Sequence, residues 1–187
     1  MSKKRHGSIA FGKGKRRLVI YHVNKPIGGC VIGMVRSSLF PCPVAVCIDD
    51  GNNHVHFAHL ACAENGKTPR IVFERELFYD VIRGLTDARM ILLHELGHFY
   101  HQHYLRDLSD EDAFRWDCVE LGEVDPNELE ADRFAAFYLG VEKTIEGLQC
   151  LQERICRDFV NDDRVRIATK ELQLRIRALS HDDGAGS

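Results

Sequence analysis

The spacing of apolar and polar positions divides this chain into a short-period half and a helical half. In the first part, brief apolar runs are closed by turn residues. Leu18-Val19-Ile20-Tyr21-His22-Val23 ends at Asn24-Lys25-Pro26 and Gly28-Gly29, while Cys30 to Val35 and Val44 to Ile48 are each bounded by Pro, Ser, Asp or Gly. Such runs read as short strands of one sheet. His54-Val55-His56-Phe57 alternates with period two, and Arg70 to Glu76, after Lys67-Thr68-Pro69, reads as another strand with Ile71 and Phe73 on one side.

Past Gly84 the period lengthens. Thr86 as N-cap and Asp87 in the first turn predict a helix running to about Leu105. Ser109-Asp110-Glu111-Asp112 opens a short helix toward Leu121, ended near Gly122. Asp125 as N-cap, Pro126 at the first helical position and Gly140 at the end frame another, with Ala131, Phe134, Ala135, Tyr138 and Leu139 on one face. Two final stripes, Ile145, Leu148, Leu151, Ile155, Phe159 and then Val165, Ala168, Leu172, Ile176, Leu179, predict two covering helices. The expected fold is α+β: a small N-terminal sheet packed on a helical region. The expected organisation is a basic flexible arm (1–17), a single domain (18–181, with its sheet in 18–78 and its helices in 79–181) and a flexible tail (182–187).

Composition narrows this picture. At 187 residues and 44% hydrophobic content the chain suits one globular domain. Its apolar runs fall far short of the ~20 residues of a membrane span. The basic start is not followed by an apolar segment with a small-residue cleavage site, so a cytoplasmic protein is expected. Seven cysteines, without a C-x-x-C pair, suit reduced, mostly buried thiols rather than a disulfide framework. Residues 1–48 hold nine Lys/Arg and no acid, giving halves of about +9 and −12. An arm of Lys3-Lys4-Arg5 with Lys13, Lys15, Arg16 and Arg17 could touch nucleic acid, but such runs are more often solvated tails.

The chemistry lies in Met90 to Tyr100, an apolar helical run containing His94-Glu95-Leu96-Gly97-His98. On a helix the two histidines sit one turn apart on one face, about 6 Å along the axis, so both imidazoles can lean onto one metal ion with Glu95 beside them. A zinc ion with three protein ligands keeps a water whose pKa falls to about 7, and Glu95 could take its proton. By chance alone, H-E-x-x-H would arise in roughly 4% of shuffled chains of this composition, so the third ligand matters. Glu128, one turn before Asp132, is the candidate; a capping-box role is its bland alternative. Glu130 is the fallback, Glu120 and Glu123 are distant ones, and Glu76 with Asp80 repeats the E-x-x-x-D spacing. His101 stands roughly 10 Å from His94 along the axis, too far to share its ion, so His101 and His103 read as rim residues. Tyr104 occupies the position of a third metzincin histidine, so that pattern is absent. His54, His56 and His59 form no convincing second metal cluster.

HELGH followed by E-x-E-A-D-x-F-A-A resembles the gluzincin zinc metallopeptidases, and most of all the ImmA/IrrE-type family, over roughly residues 70–140. The resemblance implies one Zn²⁺ held by His94, His98 and Glu128, Glu95 as general base and acid, and Asp132 as the carboxylate orienting an imidazole. It implies a specific protein substrate, such as a helix-turn-helix repressor. In a zinc protease the strand just before the active helix, here 70–76, is the natural edge to which an extended substrate adds itself. The oxyanion would fall to the metal plus one of Tyr100, Tyr104, Tyr138, His101 or His103. Three other readings remain: a non-catalytic zinc-containing module that binds a transcription factor or other partner, a deformylase-like hydrolase with Cys62 as ligand, and a nucleic-acid-binding protein that uses the basic arm.

Overall fold

A computed structural model describes residues 8–27, 30–48, 58–61, 70–103, 111–158 and 163–182. The chain folds as strands β1 (Ser8–Phe11), β2 (Leu18–Ile27), β3 (Val31–Arg36), β4 (Val44–Ile48), β5 (Ala58–Ala61) and β6 (Arg70–Phe73). Helices α1 (Arg75–Arg83), α2 (Thr86–Tyr100), α3 (Glu111–Leu121), α4 (Pro126–Leu139), α5 (Val141–Asp158) and α6 (Asp163–Asp182) follow. The architecture is α+β, as the pattern predicts. Among the described residues no helix is long and apolar enough to cross a membrane.

The strands form one sheet in the order β1-β2-β3-β4-β6-β5, antiparallel except where β4 runs parallel to β6. Period-two alternation buries one face: Leu18 and Ile20 are fully buried, and Ile20 pairs with Val35, which pairs with Val44. These side chains share a core with Leu77, Phe78 and Val81 of α1 and with Leu92, Leu93 and Leu96 of α2.

Three expectations are corrected. Ser8–Phe11 belongs to the sheet instead of a flexible arm, because Phe11 is apolar enough to be buried; Gly14–Arg16 adds a 3-10 turn. The Arg16 carbonyl accepts a hydrogen bond from Tyr138 of α4 at 2.9 Å, and its guanidinium lies over the Phe137 ring, so the chain at Arg16 is tied to the helices. The strand at 70–76 stops at Phe73 and α1 starts at Arg75, ending at Gly84, whose φ of 99° closes the helix; the sheet therefore ends before residue 78. Finally, β6 lies between β4 and β5, so it is not an edge.

Helix α2 is the centre of the helical half. Eleven of its fifteen residues are buried, so it is apolar on nearly every side and packs against α1, α4, α5 and β5. It begins one residue past a Leu85 N-cap and stops at Tyr100, short of Leu105, because His101 leaves helical geometry and Gln102 adopts a φ of 59°. Helix α4 matches its expected bounds, with the Asp125 side chain accepting from the Asn127 amide.

The close approach of α2 to α4 depends on one residue. A Cβ at Gly97 would lie 2.8 Å from the Ala131 Cα and 2.9 Å from its carbonyl oxygen. Glycine at 97 and alanine at 131 let the two backbones touch, which brings the first turn of α4 over the histidines of α2.

Candidate metal centre

His94 and His98 project from consecutive turns of α2, and Glu128 meets them from the third position of α4. The two Nε2 atoms face each other at 2.9 Å; Glu128 Oε2 lies 3.3 Å from His94 Nε2 and Oε1 lies 3.5 Å from His98 Nε2. Two donors bonded to one zinc at ~2.0–2.2 Å stand roughly 3.3 Å apart at a tetrahedral angle, so this triangle fits a single ion. All three side chains are almost out of solvent.

The donors are also correctly prepared. His94 Nδ1 lies 2.8 Å from Asp132 Oδ1, and Asp132 is fully buried. Burial works against the Asp132 charge, yet Arg175 and the hydrogen bonds from His94 and Arg175 outweigh it and hold this carboxyl below its usual range. An ionised acceptor places a hydrogen on His94 Nδ1, so Nε2 is the nitrogen that faces the triangle and meets an ion once its own proton is displaced. Burial and the Arg175 charge lower the His94 pKa, but the Glu128 charge and the bonds to Asp132 and Glu128 reverse this and raise it to about 9. The pocket at Nε2 favours a positive guest.

Arg175, from α6, is the residue that sequence reasoning missed. It is 4% exposed, its Nε donates to Asp132 Oδ2 at 2.7 Å, its Nη2 donates to Oδ1, and its Nη1 donates to Glu128 Oε2 at 2.8 Å. One planar guanidinium thus locks the carboxylate that orients His94 and the carboxylate that completes the triangle. Burial opposes its charge, and Asp132 and Glu128 more than restore it, so Arg175 holds its proton beyond the ordinary arginine range. A signal was present: Arg175 lies three residues after Leu172 and four before Leu179, both buried, so it interrupts an apolar stripe with a charge.

Glu95 stands apart from this network. It is 8% exposed, follows His94 and precedes His98 by three residues, and among the described residues its carboxylate has no hydrogen-bond or ion-pair partner. Nearly every buried polar group in a folded protein is paired, so an unpaired carboxylate bordering three metal-type donors is a candidate for chemistry.

The remaining candidates separate. Glu130 turns to the outer histidines: its Oε2 is 3.0 Å from His103 Nε2 and 3.8 Å from His101 Nδ1. His103, expected at the rim, is 3% exposed, and its Nδ1 lies 2.8 Å from His98 Nδ1. The turn that ends α2 folds it back beneath the motif, which periodicity cannot foresee. The His101–His103–Glu130 group is a second set of donors that could hold a cation. Tyr138 donates to Arg16, and Tyr100 lies against Phe134 and His101. Glu120 and Glu123 are exposed, and Asp80 pairs with Arg83 on α1. His54, His56, Cys62, Tyr104, residues 1–7 and the tail 183–187 lie outside the described residues, as does the side chain of His59.

Compared with known proteins, the chain matches no family model, no curated protein and no solved structure.

Proposed function

We propose that this protein is a cytoplasmic zinc-dependent endopeptidase that cleaves a specific protein substrate. The observation that supports it best is the unpaired, buried carboxylate of Glu95 beside the triangle of His94, His98 and Glu128. Two imidazoles and one carboxylate suit zinc in a catalytic setting, where a fourth position stays open. Zinc held there supplies Lewis-acid polarisation and a bound water whose pKa drops to about 7.

The chain's own residues do the rest. Glu95 accepts the proton of the attacking water and delivers it to the leaving amide nitrogen. Asp132 keeps the His94 hydrogen on Nδ1, and Arg175 keeps Asp132 ionised and Glu128 aimed at the triangle. An extended substrate segment would add itself to β5, the sheet's last strand, which lies against α2; β6 is enclosed. The partner class that the resemblance suggests is a helix-turn-helix repressor.

The test is zinc content and turnover in parallel. One zinc per chain is expected, lost on Glu128→Ala and kept on Glu130→Ala, while Glu95→Gln keeps zinc and abolishes cleavage of the candidate repressor. Retention of zinc in Glu128→Ala would refute the ligand set. A biological effect that survives Glu95→Gln would favour a zinc-containing binding module over an enzyme.

A further inference from the structure

Beneath the histidine triangle lies the second donor group, His101, His103 and Glu130, whose ligand-type atoms all fall within 4.8 Å of one another. Read alone, it is a second metal site. Its contact with His98 excludes that while the first site is loaded.

His98 Nδ1 and His103 Nδ1 face each other at 2.8 Å, so a single hydrogen lies between them. A neutral imidazole carries one hydrogen, and a metal takes the nitrogen without it. With His98 Nε2 turned to the triangle, the His98 hydrogen must sit on Nδ1 and be donated to His103 Nδ1. The His103 hydrogen is then on Nε2, where it is donated to Glu130 Oε2 at 3.0 Å. That nitrogen has no lone pair left for an ion. The converse also holds: a metal on His103 Nε2 puts the shared hydrogen on His103 Nδ1, makes His98 Nδ1 the acceptor and places the His98 hydrogen on Nε2, facing the triangle. One hydrogen between two rings therefore decides which of two metal sites exists.

We infer that His103 is a positioning residue for the first metal site, and that the two histidine groups are mutually exclusive as metal sites because they share one hydrogen. The inference rests on the reading that His94, His98 and Glu128 take zinc. It links His98 through His103 to Glu130, a carboxylate that is 43% exposed, while the two rings are nearly enclosed. It assigns His101, stacked on the His103 ring at 5.6 Å, no part in metal affinity.

The experiment titrates the full chain with Zn²⁺ against a competing chelator. It also records long-range proton–nitrogen NMR spectra of the histidine rings in the zinc-loaded wild type. One ion per chain is expected, with hydrogens on Nδ1 of His98 and Nε2 of His103. His103→Ala should weaken zinc binding about 10–100-fold, the usual cost of losing an outer partner of a metal ligand. His103→Gln, whose amide oxygen can accept from His98 Nδ1, should recover most of that loss, and His101→Ala should change nothing.

Two tight equivalents per chain, a hydrogen on His103 Nδ1 in the loaded protein, or equal losses in His103→Ala and His103→Gln would overturn the inference. Zinc binding that needs His98 yet ignores His103 would overturn it and leave the metal site standing. Binding that survives His98→Ala, or no binding in the wild type, would bring down both.

Discussion

The two histidines of one motif are supported in opposite ways. His94 is held from far along the chain, by Asp132 of α4 and through it by Arg175 of α6, a fully buried arrangement of opposite charges. His98 is held locally, by His103 five residues on, whose other ring nitrogen lies 3.0 Å from the half-exposed Glu130 carboxylate. The first support is strong and costly to disrupt, since charges out of water must remain paired. The second is weaker and adjustable. One side of the site is thereby built into the folding of the domain, and the other is tuned at its surface.

The largest test of this difference is Arg175→Met. It leaves Asp132 and Glu128 buried together without their cation, and should lower unfolding stability by about 3–5 kcal/mol in urea titration with chelator present. Zinc should restore part of that loss by neutralising Glu128. Glu130→Gln, on the outer side, should cost under about 1 kcal/mol, because Glu130 is partly solvated. Equal effects would erase the contrast.

Gly97→Ala comes next. The added methyl meets backbone of α4, which cannot rotate away, so overpacking should cost about 1–3 kcal/mol even though alanine favours helix. Zinc affinity should fall with it, because α4 carries Glu128. A stable Gly97→Ala variant with unchanged zinc affinity would mean that helix contact does not set the triangle.

Asp132→Asn probes the charged side more gently. It should weaken zinc binding by about 10–100-fold, since an amide holds the imidazole hydrogen less firmly than a carboxylate. The measurement is the same chelator competition.

The smallest effect is in pH. His94 is raised from 6.5 to about 9, so in chelator its contribution to stability is complete below pH 6.5 and is lost as pH rises through about 9. The urea midpoint in chelator should therefore decline across that window. Zinc must displace the same proton, so its affinity should rise with pH over the range in which the chelator-treated protein loses stability. A flat zinc affinity between pH 7 and 9 would show that His94 is already unprotonated.

Much of this was legible in the chain. The helix of His94 and His98, the capped helix from Pro126 and the two C-terminal stripes followed from period and capping residues, because those are local properties. Glu128 was legible as a candidate, since its place in α4 and its distance from the motif limited the choices. Short elements were less so: the strand at Ser8–Phe11 hid in a basic stretch, and α1 was not foreseen, its first two residues being read as the end of the strand before it.

By itself, the sequence determined the α+β class, the histidine pair, the adjacent Glu95 and the small residues that let two helices meet. Only tertiary structure decided that β6 is enclosed and β5 lies at the edge, that Arg175 from the far end of the chain grips both site carboxylates, and that His103 folds under His98. Strand order, a long-range ion pair and the direction of a loop depend on contacts between residues remote in sequence or beyond a helix end, where no local periodicity carries information. The hydrogen shared by His98 and His103 belongs to that second kind, because it exists only once the turn after α2 has brought the two rings together.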